Sequence, residues 1–252
     1  MLHIRMFDGD HEVAARVRIG PTKVMELLPP AREISEGITA IAIERAIGEG
    51  GIISCRAGCG ACCAQLVPVA PAEAVRLAEV VEAMPDRRRG AVKTRFENAV
   101  RRPRETGLVD RRASPGQAVL RSPAPTGKTP WEVVSRRYFD AGIPCPFLED
   151  GSCGVYTERP MVCREYNVTT PASLCATMSL DARAITRLVR MSEVMKDFTN
   201  RLLGRNDFNI PLTLSFDWAL ANRAAFEREG DGRELAMELV RCIQAADDSE
   251  NV

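Results

Sequence analysis

Hydrophobic side chains recur every three or four residues in several stretches of the chain, a spacing that places them on one face of an α-helix. One such stretch, residues 31–49, ends at the glycine-rich run 48–51. Another begins at Pro71 and ends at Pro85. Proline suits the first turn of a helix because the N–H groups of that turn have no partner within the helix. The pattern therefore predicts two helices with a short irregular segment between them.

Helical spacing returns in the second half of the chain. Residues 129–142 predict a short helix, and the region from Leu180 onward predicts further helices. The first apolar stripe of that region consists of Ile185, Leu188, Val189, Met195, Phe198 and Leu202. The stripe of the last helix consists of Leu235, Leu239, Cys242 and Ile243. Because the sequence shows neither an internal repeat nor a regular alternation of strands and helices, we expect a mainly α fold.

The composition is that of a globular protein without a pronounced charge. The 252 residues are 45% hydrophobic and include 34 basic and 34 acidic residues, so the formal net charge is zero. Such a balance creates no long-range field toward nucleic acid or an anionic membrane. The N-terminal residues lack the apolar core of a signal peptide, and no run reaches the roughly 18 apolar residues of a membrane span. We therefore expect a cytoplasmic protein without membrane contact.

Cysteine is the residue type that changes this picture most. The chain has nine cysteines, and four of them stand within residues 54–65, SCRAGCGACCAQ. In a reducing cytoplasm, patterned cysteines indicate metal or redox chemistry rather than disulfides. The alternative, one buried helix face, is opposed by Gly58 and Gly60, each of which costs about 1 kcal/mol relative to alanine inside a helix. Glycines suit a metal site because they let the backbone turn tightly and direct N–H groups at the sulfurs.

A second cysteine region, residues 145–175, supplies as many thiols as the first. The expected metal ligands are Cys55, Cys59, Cys62, Cys63, Cys145, Cys153, Cys163 and Cys175. Eight thiols make two sets of four, the number taken by a tetrahedral zinc ion or an iron–sulfur cluster. The chain has only two histidines, so mixed cysteine and histidine ligation is not expected. Soft sulfur ligands indicate Zn²⁺ or an iron–sulfur cluster as the cofactor and leave the choice between them open.

The adjacent Cys62 and Cys63 point in different directions on any regular backbone. We expect them to divide between two neighbouring centres, or one of them to lie outside the ligand set. Three arginines beside expected ligands, Arg56, Arg159 and Arg164, either balance thiolate charge or form ordinary salt bridges, two explanations of equal weight. Cys242 stands apart on the last apolar stripe and is predicted to be a core residue.

This cysteine pattern resembles that of the YkgJ-type cysteine-cluster family, whose CxxCxxCC domain is described as zinc- or iron-chelating. The resemblance covers residues 55 to about 175, apart from a basic, loop-rich insertion at about 86–128. The matching positions are Cys55, Cys59, Cys62, Cys63, Cys145-Pro146, Cys153, Tyr156, Arg159-Pro160 and Cys163-Arg164. It implies a cysteine-ligated zinc or iron–sulfur centre in a metal-binding or redox module. Some related proteins resemble flagellin lysine N-methylases, although this chain has no separate methyl-donor motif.

A rival interpretation starts from Cys55, Cys59 and Cys62, which form CxxxCxxC, the spacing of radical S-adenosylmethionine enzymes. Those enzymes place the motif after the first strand of a barrel, usually with an aromatic residue before the third cysteine. Ala61 occupies that position here, and repeated strand–helix units are lacking. The radical and methylase-like classes therefore stand as alternatives, and the sequence leaves enzymatic activity undecided because it offers no histidine base and no dinucleotide fingerprint.

Residues 87–112 contain ten lysines and arginines. Nucleic-acid binding is disfavoured there because Phe96 is the one aromatic side chain in the stretch, so platforms for stacking bases are missing. A solvated helix face followed by a loop is the preferred interpretation. A protein partner stays open, and a metal ion or cluster is the partner that the sequence indicates.

The expected organisation has three parts. Residues 1–50 form an N-terminal helical segment, residues 51–180 a cysteine-cluster domain with the insertion at about 86–128, and residues 181–252 helices that pack on it. We expect bound metal to draw the two cysteine regions together, so that metal binding and folding are one equilibrium.

Overall fold

The computed structural model describes residues 1–6, 11–109, 116, 130–204 and 210–250, and every structural statement below concerns these residues. Helices dominate them, which confirms the predicted mainly α fold. The helices are α1 (Leu28–Gly48), α2 (Pro71–Glu82), α3 (Asp86–Glu105), α4 (Pro130–Asp140), α5 (Met161–Glu165), α6 (Ala172–Ala176), α7 (Met191–Leu203), α8 (Leu212–Asn222) and α9 (Gly232–Glu250). Short 3₁₀ turns occupy Val24–Leu27, Tyr156–Glu158 and Arg223–Glu227.

The strands are short and pair in twos. They are β1 (Leu2–Met6), β2 (His11–Ala15), β3 (Pro21–Lys23), β4 (Pro68–Val69), β5 (Leu148–Glu149), β6 (Ser152–Cys153), β7 (Ile210–Pro211) and β8 (Glu229–Asp231). In the described part of the chain they form four antiparallel pairs, β1 with β2, β3 with β8, β4 with β7 and β5 with β6. Because parallel strands joined by helices do not occur among these residues, a barrel of the radical-enzyme type is not their architecture.

The predicted helical segment at residues 1–50 begins with a β-hairpin instead. Ile4 of β1 is buried and pairs with the buried Val13 of β2. Arg5, the next residue of β1, is exposed. This alternation has the period of a strand with one buried face. The hairpin packs on α1 at Gly37, where a Cβ would come 3.1 Å from Cγ1 of Val13. Helix α1 then follows close to the predicted position.

The main core forms where α2 packs against α8. Helix α2 begins with Pro71, as predicted, and eight of its twelve residues are buried. Phe96 of α3 extends this core toward the second cysteine region. Its ring meets Phe147 edge to face at 5.3 Å between centroids and meets Phe216 of α8 at 5.5 Å. Aromatic contacts of this kind add about 1 kcal/mol to simple burial, so α3 and the cysteine region share one core.

The helix predicted from Leu180 begins only at Met191. Residues 183–185 pair instead with residues 167–169. The N–H of Thr169 donates to the carbonyl of Arg183 (3.0 Å), and the N–H of Ile185 donates to that of Asn167 (2.9 Å). Apolar spacing cannot reveal such distant partners, which satisfy the backbone without a helix. From Met191 onward the predicted stripe holds, and Phe198 is fully buried.

The last predicted stripe lies on α9, which packs against α7. All four of its residues, Leu235, Leu239, Cys242 and Ile243, are buried, so Cys242 is the core residue that its spacing predicts. Within the described ranges, no helix has the length and apolarity required to cross a lipid bilayer. The insertion predicted at about 86–128 begins with helix α3, and its residues 110–128 lie outside the described residues except for Gly116.

Candidate metal centre

The first cysteine segment, residues 54–66, follows α1 and is a series of tight turns rather than a helix. The N–H of Cys59 donates to the carbonyl of Arg56 (3.2 Å), that of Cys63 to Gly60 (3.0 Å), and that of Gln65 to Cys62 (3.0 Å). Each bond spans three residues, as in a turn. These bonds contradict the alternative in which the four cysteines share one helix face.

The glycines of this segment have separate roles. Gly58 has φ +87°, a left-handed conformation that costs glycine little and other residues much. Gly60 lies against the hairpin β5–β6, where a Cβ would clash with the carbonyl oxygen of Gly151 and come 2.8 Å from Cδ1 of Leu148. Glycine at position 60 therefore allows the two cysteine segments to touch, and glycine at 58 allows the turn before it.

The second cysteine segment, residues 143–176, presents its thiols from four places. Cys145 follows α4, Cys153 ends β6, Cys163 lies in α5 and Cys175 lies in α6. The elements that follow α4 in this segment have at most five residues each, and turns connect them. A segment of this kind has little helical cooperativity of its own, so its shape depends on contacts with the rest of the protein.

Main-chain hydrogen bonds join the two segments directly. The N–H of Cys145 donates to the carbonyl of Cys63 (2.7 Å), and the N–H of Ser54 donates to that of Val168 (2.9 Å). The side-chain amide of Gln65 donates to the carbonyl of Cys175 (2.8 Å). Positions about a hundred residues apart in the sequence therefore meet.

All nine cysteines are free thiols. Cys175 is buried, and the other seven expected ligands are half-buried. Among the residues that the structure describes, no group of three or more His, Cys, Asp or Glu side chains is arranged to hold a metal ion as it stands. The structure thus brings the two segments together, whereas closure of the sulfurs around an ion stays a prediction.

The environment of the thiols fits a soft cation. Burial raises the pKa of Cys145 to about 12, and burial also raises the pKa of Cys153 and Cys163. Backbone N–H groups oppose this effect. Phe147 donates to the sulfur of Cys145, Val155 to that of Cys153, and Val168 to that of Cys55 at 3.4 Å. Buried thiols that receive N–H groups gain most from a cation that displaces their protons, as zinc or iron does.

Electrostatic contacts divide the eight thiols into two groups. Cys63, Cys145, Cys153 and Cys163 act on one another. Cys55, Cys59 and Cys175 do the same, and the Tyr166 hydroxyl donates to Cys175 while the carbonyl of Tyr166 accepts from Cys55 at 3.8 Å. Cys62 lies between the groups and acts on members of both. The thiol of Cys63 donates to Cys62, which lowers the pKa of Cys62 and raises that of Cys63.

Arginines of α3 hold the second segment from outside. Arg88 donates to Glu149 (2.9 Å) and to the carbonyl of Gly154, and Arg95 donates to Glu149 and to the carbonyl of Pro146, both at 2.6 Å. One helical heptad further on, Arg102 donates to the carbonyl of Gly142 at 3.3 Å. Residues seven apart lie on one helix face, so part of the predicted basic stretch is a stripe that follows the cysteine segment.

Buried charges fix α5, the short helix that carries Cys163. Glu73 of α2 is fully buried and accepts from the N–H groups of Met161 (2.7 Å) and Ala70 (3.1 Å). Glu165 accepts from the N–H of Ser192 (2.9 Å) and from its hydroxyl (3.0 Å). The guanidinium of Arg164 bonds to Glu36 and to two carbonyls rather than to a sulfur. The sequence analysis did not predict that Glu73 and Glu165 are buried and hold α5. The available signal was a charged residue among apolar neighbours.

Comparison with known proteins identifies one family. The family model "CxxCxxCC: Putative zinc- or iron-chelating domain" matches residues 54–187, which is more than half of the chain. The matched range begins one residue before Cys55 and contains all eight expected ligands together with α2 and α3. No curated protein and no solved structure matches the chain significantly.

Proposed function

Because the chain belongs to the CxxCxxCC family, we propose that it binds zinc or iron through its eight clustered cysteines and acts as a metal-binding or redox module. The observation that carries this proposal is the junction of the two segments, in particular the bond between the N–H of Cys145 and the carbonyl of Cys63. It joins the two segments that carry the proposed sulfur ligands, and oxygen-preferring cations such as Mg²⁺ are poor partners for sulfur.

We assign the ligands to two centres. Cys63, Cys145, Cys153 and Cys163 would hold one, and Cys55, Cys59, Cys62 and Cys175 the other. The electrostatic grouping supports this division for seven of the thiols, as does Tyr166, which touches Cys55 and Cys175 of the second set. Cys62 acts on members of both groups and is assigned to the second because that set otherwise has only three thiols. The adjacent Cys62 and Cys63 would then serve different centres, which avoids directing two neighbouring side chains at one ion.

The chain's own residues would supply the rest of the centre. Backbone N–H groups of Phe147, Val155 and Val168 already point at sulfurs and would orient them and offset their charge. Bound zinc would act as a structural crosslink, and an iron–sulfur cluster would add one-electron transfer. In either case bound metal would join the two cysteine segments and add to the stability of residues 51–180.

Anaerobic purification followed by metal analysis tests the proposal. A visible absorption band with iron and acid-labile sulfide would support an iron–sulfur cluster, and a colourless protein with stoichiometric zinc would support a structural site. A protein that contains neither metal after purification, and that takes up neither when they are supplied, would contradict the proposal.

Cysteine variants test the ligand assignment. Changing any of the eight cysteines to serine should lower metal content and soluble yield. Loss of one centre should leave the metal of the other largely in place, so Cys163→Ser and Cys175→Ser should each remove about half. Cys242→Ser is the matched control, because that thiol is buried between α7 and α9 and should affect neither quantity.

The methylase-like and radical alternatives stay predictions. The family description names a chelating domain and no methyl donor, so no observation favours either enzyme class over a metal-binding module.

A further inference from the structure

Arg159 occupies an unusual position beside the proposed metal centre. It follows the turn Tyr156–Glu158 and precedes Pro160, the residue before α5. Its backbone has φ −57° and ψ 146°, the extended conformation that a following proline imposes. Its guanidinium carbon lies 3.8 Å from the centroid of the Tyr156 ring. Backbone and side chain are therefore both held, the latter by a cation–π contact.

Three other arginines in this region are bonded to protein acceptors. Arg32 and Arg76 both donate to Glu158, at 2.6 and 2.8 Å, and Arg164 donates to Glu36. By contrast, no hydrogen bond or ion pair joins the guanidinium of Arg159 to an acceptor among the described residues. Its Nε is buried without a partner, as is the Nε of Arg32, but Arg32 bonds through its other nitrogens. A buried donor without an acceptor is destabilising, so an acceptor that comes within reach of Arg159 would be bound favourably.

The positive charge of Arg159 favours the thiolate forms of Cys55, Cys62 and Cys153, so these thiols are within its electrostatic reach. The first two belong to one proposed set of ligands and the third to the other, so the charge reaches both sets. Four thiolates around a divalent zinc carry a net charge of about −2, and such a charge in a partly buried site needs neighbouring donors or cations.

From this juxtaposition we propose that Arg159, stacked on Tyr156, is the counter-charge and hydrogen-bond donor of the metal–thiolate centre. The inference rests on the proposed function and deepens it, because it assigns one residue that stabilises the loaded state without ligating the metal. Arg159 is a positioning residue in this role, and Tyr156 holds its guanidinium against the sulfurs. The unpaired guanidinium of the free protein gains its acceptors when the thiols become thiolates on binding.

Metal titration of purified variants tests this role. Zn²⁺ affinity is measured by competition with a chromophoric chelator, and Co²⁺ serves as a spectroscopic probe because its sulfur charge-transfer bands report the ligand set. Arg159→Gln should weaken both affinities roughly 10- to 100-fold, the usual effect of losing a donor to a ligating group, and should shift the cobalt spectrum. Arg159→Lys should recover most of the affinity because it retains the charge.

Arg76→Gln is the matched control. It removes one positive charge from the neighbouring network, where Arg76 bonds to Glu158 and Glu79, and should leave the cobalt spectrum unchanged. Wild-type affinity and spectrum in Arg159→Gln would overturn the inference, and so would a lysine variant as weak as the glutamine variant.

The fold of each metal-free variant is checked by circular dichroism. If Arg159→Gln does not fold, Tyr156→Leu replaces it, since this change keeps the charge but removes the ring that positions it. Weaker Co²⁺ binding would support the inference, and unchanged binding would overturn it. The two proposals fail separately. Wild-type protein that binds no metal contradicts the proposed function, whereas a wild type that binds and an equally competent Arg159→Gln contradict only this inference.

Discussion

The two cysteine segments are held in the fold by different kinds of contact. Residues 54–66 are shaped by hydrogen bonds between residues three apart and by the glycines at 58 and 60. Residues 143–176 are held by charged side chains that belong to other elements, such as Glu73 of α2 and Arg95 of α3. The first segment relies mainly on its own turns, whereas the second adds to its own turns a set of bonds from the surrounding helices.

This difference determines where each segment is vulnerable. A substitution that disrupts the first segment is expected to lie within it, at a turn such as Gly58 or where Gly60 contacts the second segment. Damage to the second can begin far away in the sequence, because its carbonyls and N–H groups find partners on helices that contain no metal ligand. Substitutions that remove one kind of contact and spare the other test the comparison.

The largest effect is expected from Glu73→Ala. The change leaves the N–H groups of Met161 and Ala70 without their acceptor in a fully buried place. Two such losses should lower the free energy of unfolding by about 3 kcal/mol. Urea unfolding of the metal-free protein measures it. Glu79→Ala, on the exposed side of the same helix, is the control, and an equal effect of both changes would contradict the role of Glu73.

Gly60→Ala tests the first segment. The new Cβ would collide with the backbone at Gly151, which cannot move aside as a flexible side chain could, so we expect a loss of about 2 kcal/mol in unfolding free energy. Gly90→Ala in α3 meets no atom within 4 Å and should stabilise the protein by about 0.5 to 1 kcal/mol. Equal stability of the two variants would show that the segments do not touch at Gly60.

Glu158 makes the second segment sensitive to acid. The hydrogen bond from Arg76 lowers the pKa of Glu158 to about 2 from an ordinary value of 4.5, burial opposes this shift, and Arg32 adds to it. A carboxyl whose folded pKa is lowered contributes stability above pH 4.5, and that contribution is lost as the pH falls toward 2.

Glu158→Gln should therefore reduce stability at neutral pH by about 1 to 2 kcal/mol and flatten its decline between pH 4.5 and 2. Unfolding in urea at a series of pH values measures both effects. Glu44→Gln, at an exposed position of α1, is the control and should retain the wild-type profile. A Glu158→Gln profile parallel to that of the wild type would contradict the assignment.

The smallest effect is expected from the arginine stripe of α3. Arg95→Gln removes bonds to Glu149 and to the carbonyl of Pro146 and should cost about 1 kcal/mol. Arg101→Gln changes an exposed arginine of the same helix and should cost almost nothing. If the two variants are equally stable, the stripe does not hold the second segment.

Parts of this organisation follow from short-range pattern. Apolar spacing predicted α1, α2 and α4 because periodic burial is written in the order of residues along one helix. Glycines among the cysteines predicted tight turns, and Gly58 with its positive φ agrees. The β-hairpin at the N-terminus was missed because two short alternating runs are a weaker signal than a long helical one. The delayed start of α7 was missed because its cause is backbone pairing of residues 183–185 with residues 167–169.

The sequence by itself determined the chemistry available to this protein, namely eight patterned thiols, almost no histidine, and membership in a metal-chelating family. Only the tertiary structure decided that the two cysteine segments meet, and which arginines of the basic stretch hold the second of them. The reason is physical. A side chain carries its donor and acceptor groups wherever it stands, but its partner depends on which surfaces the packed helices bring together, and no local periodicity records that choice.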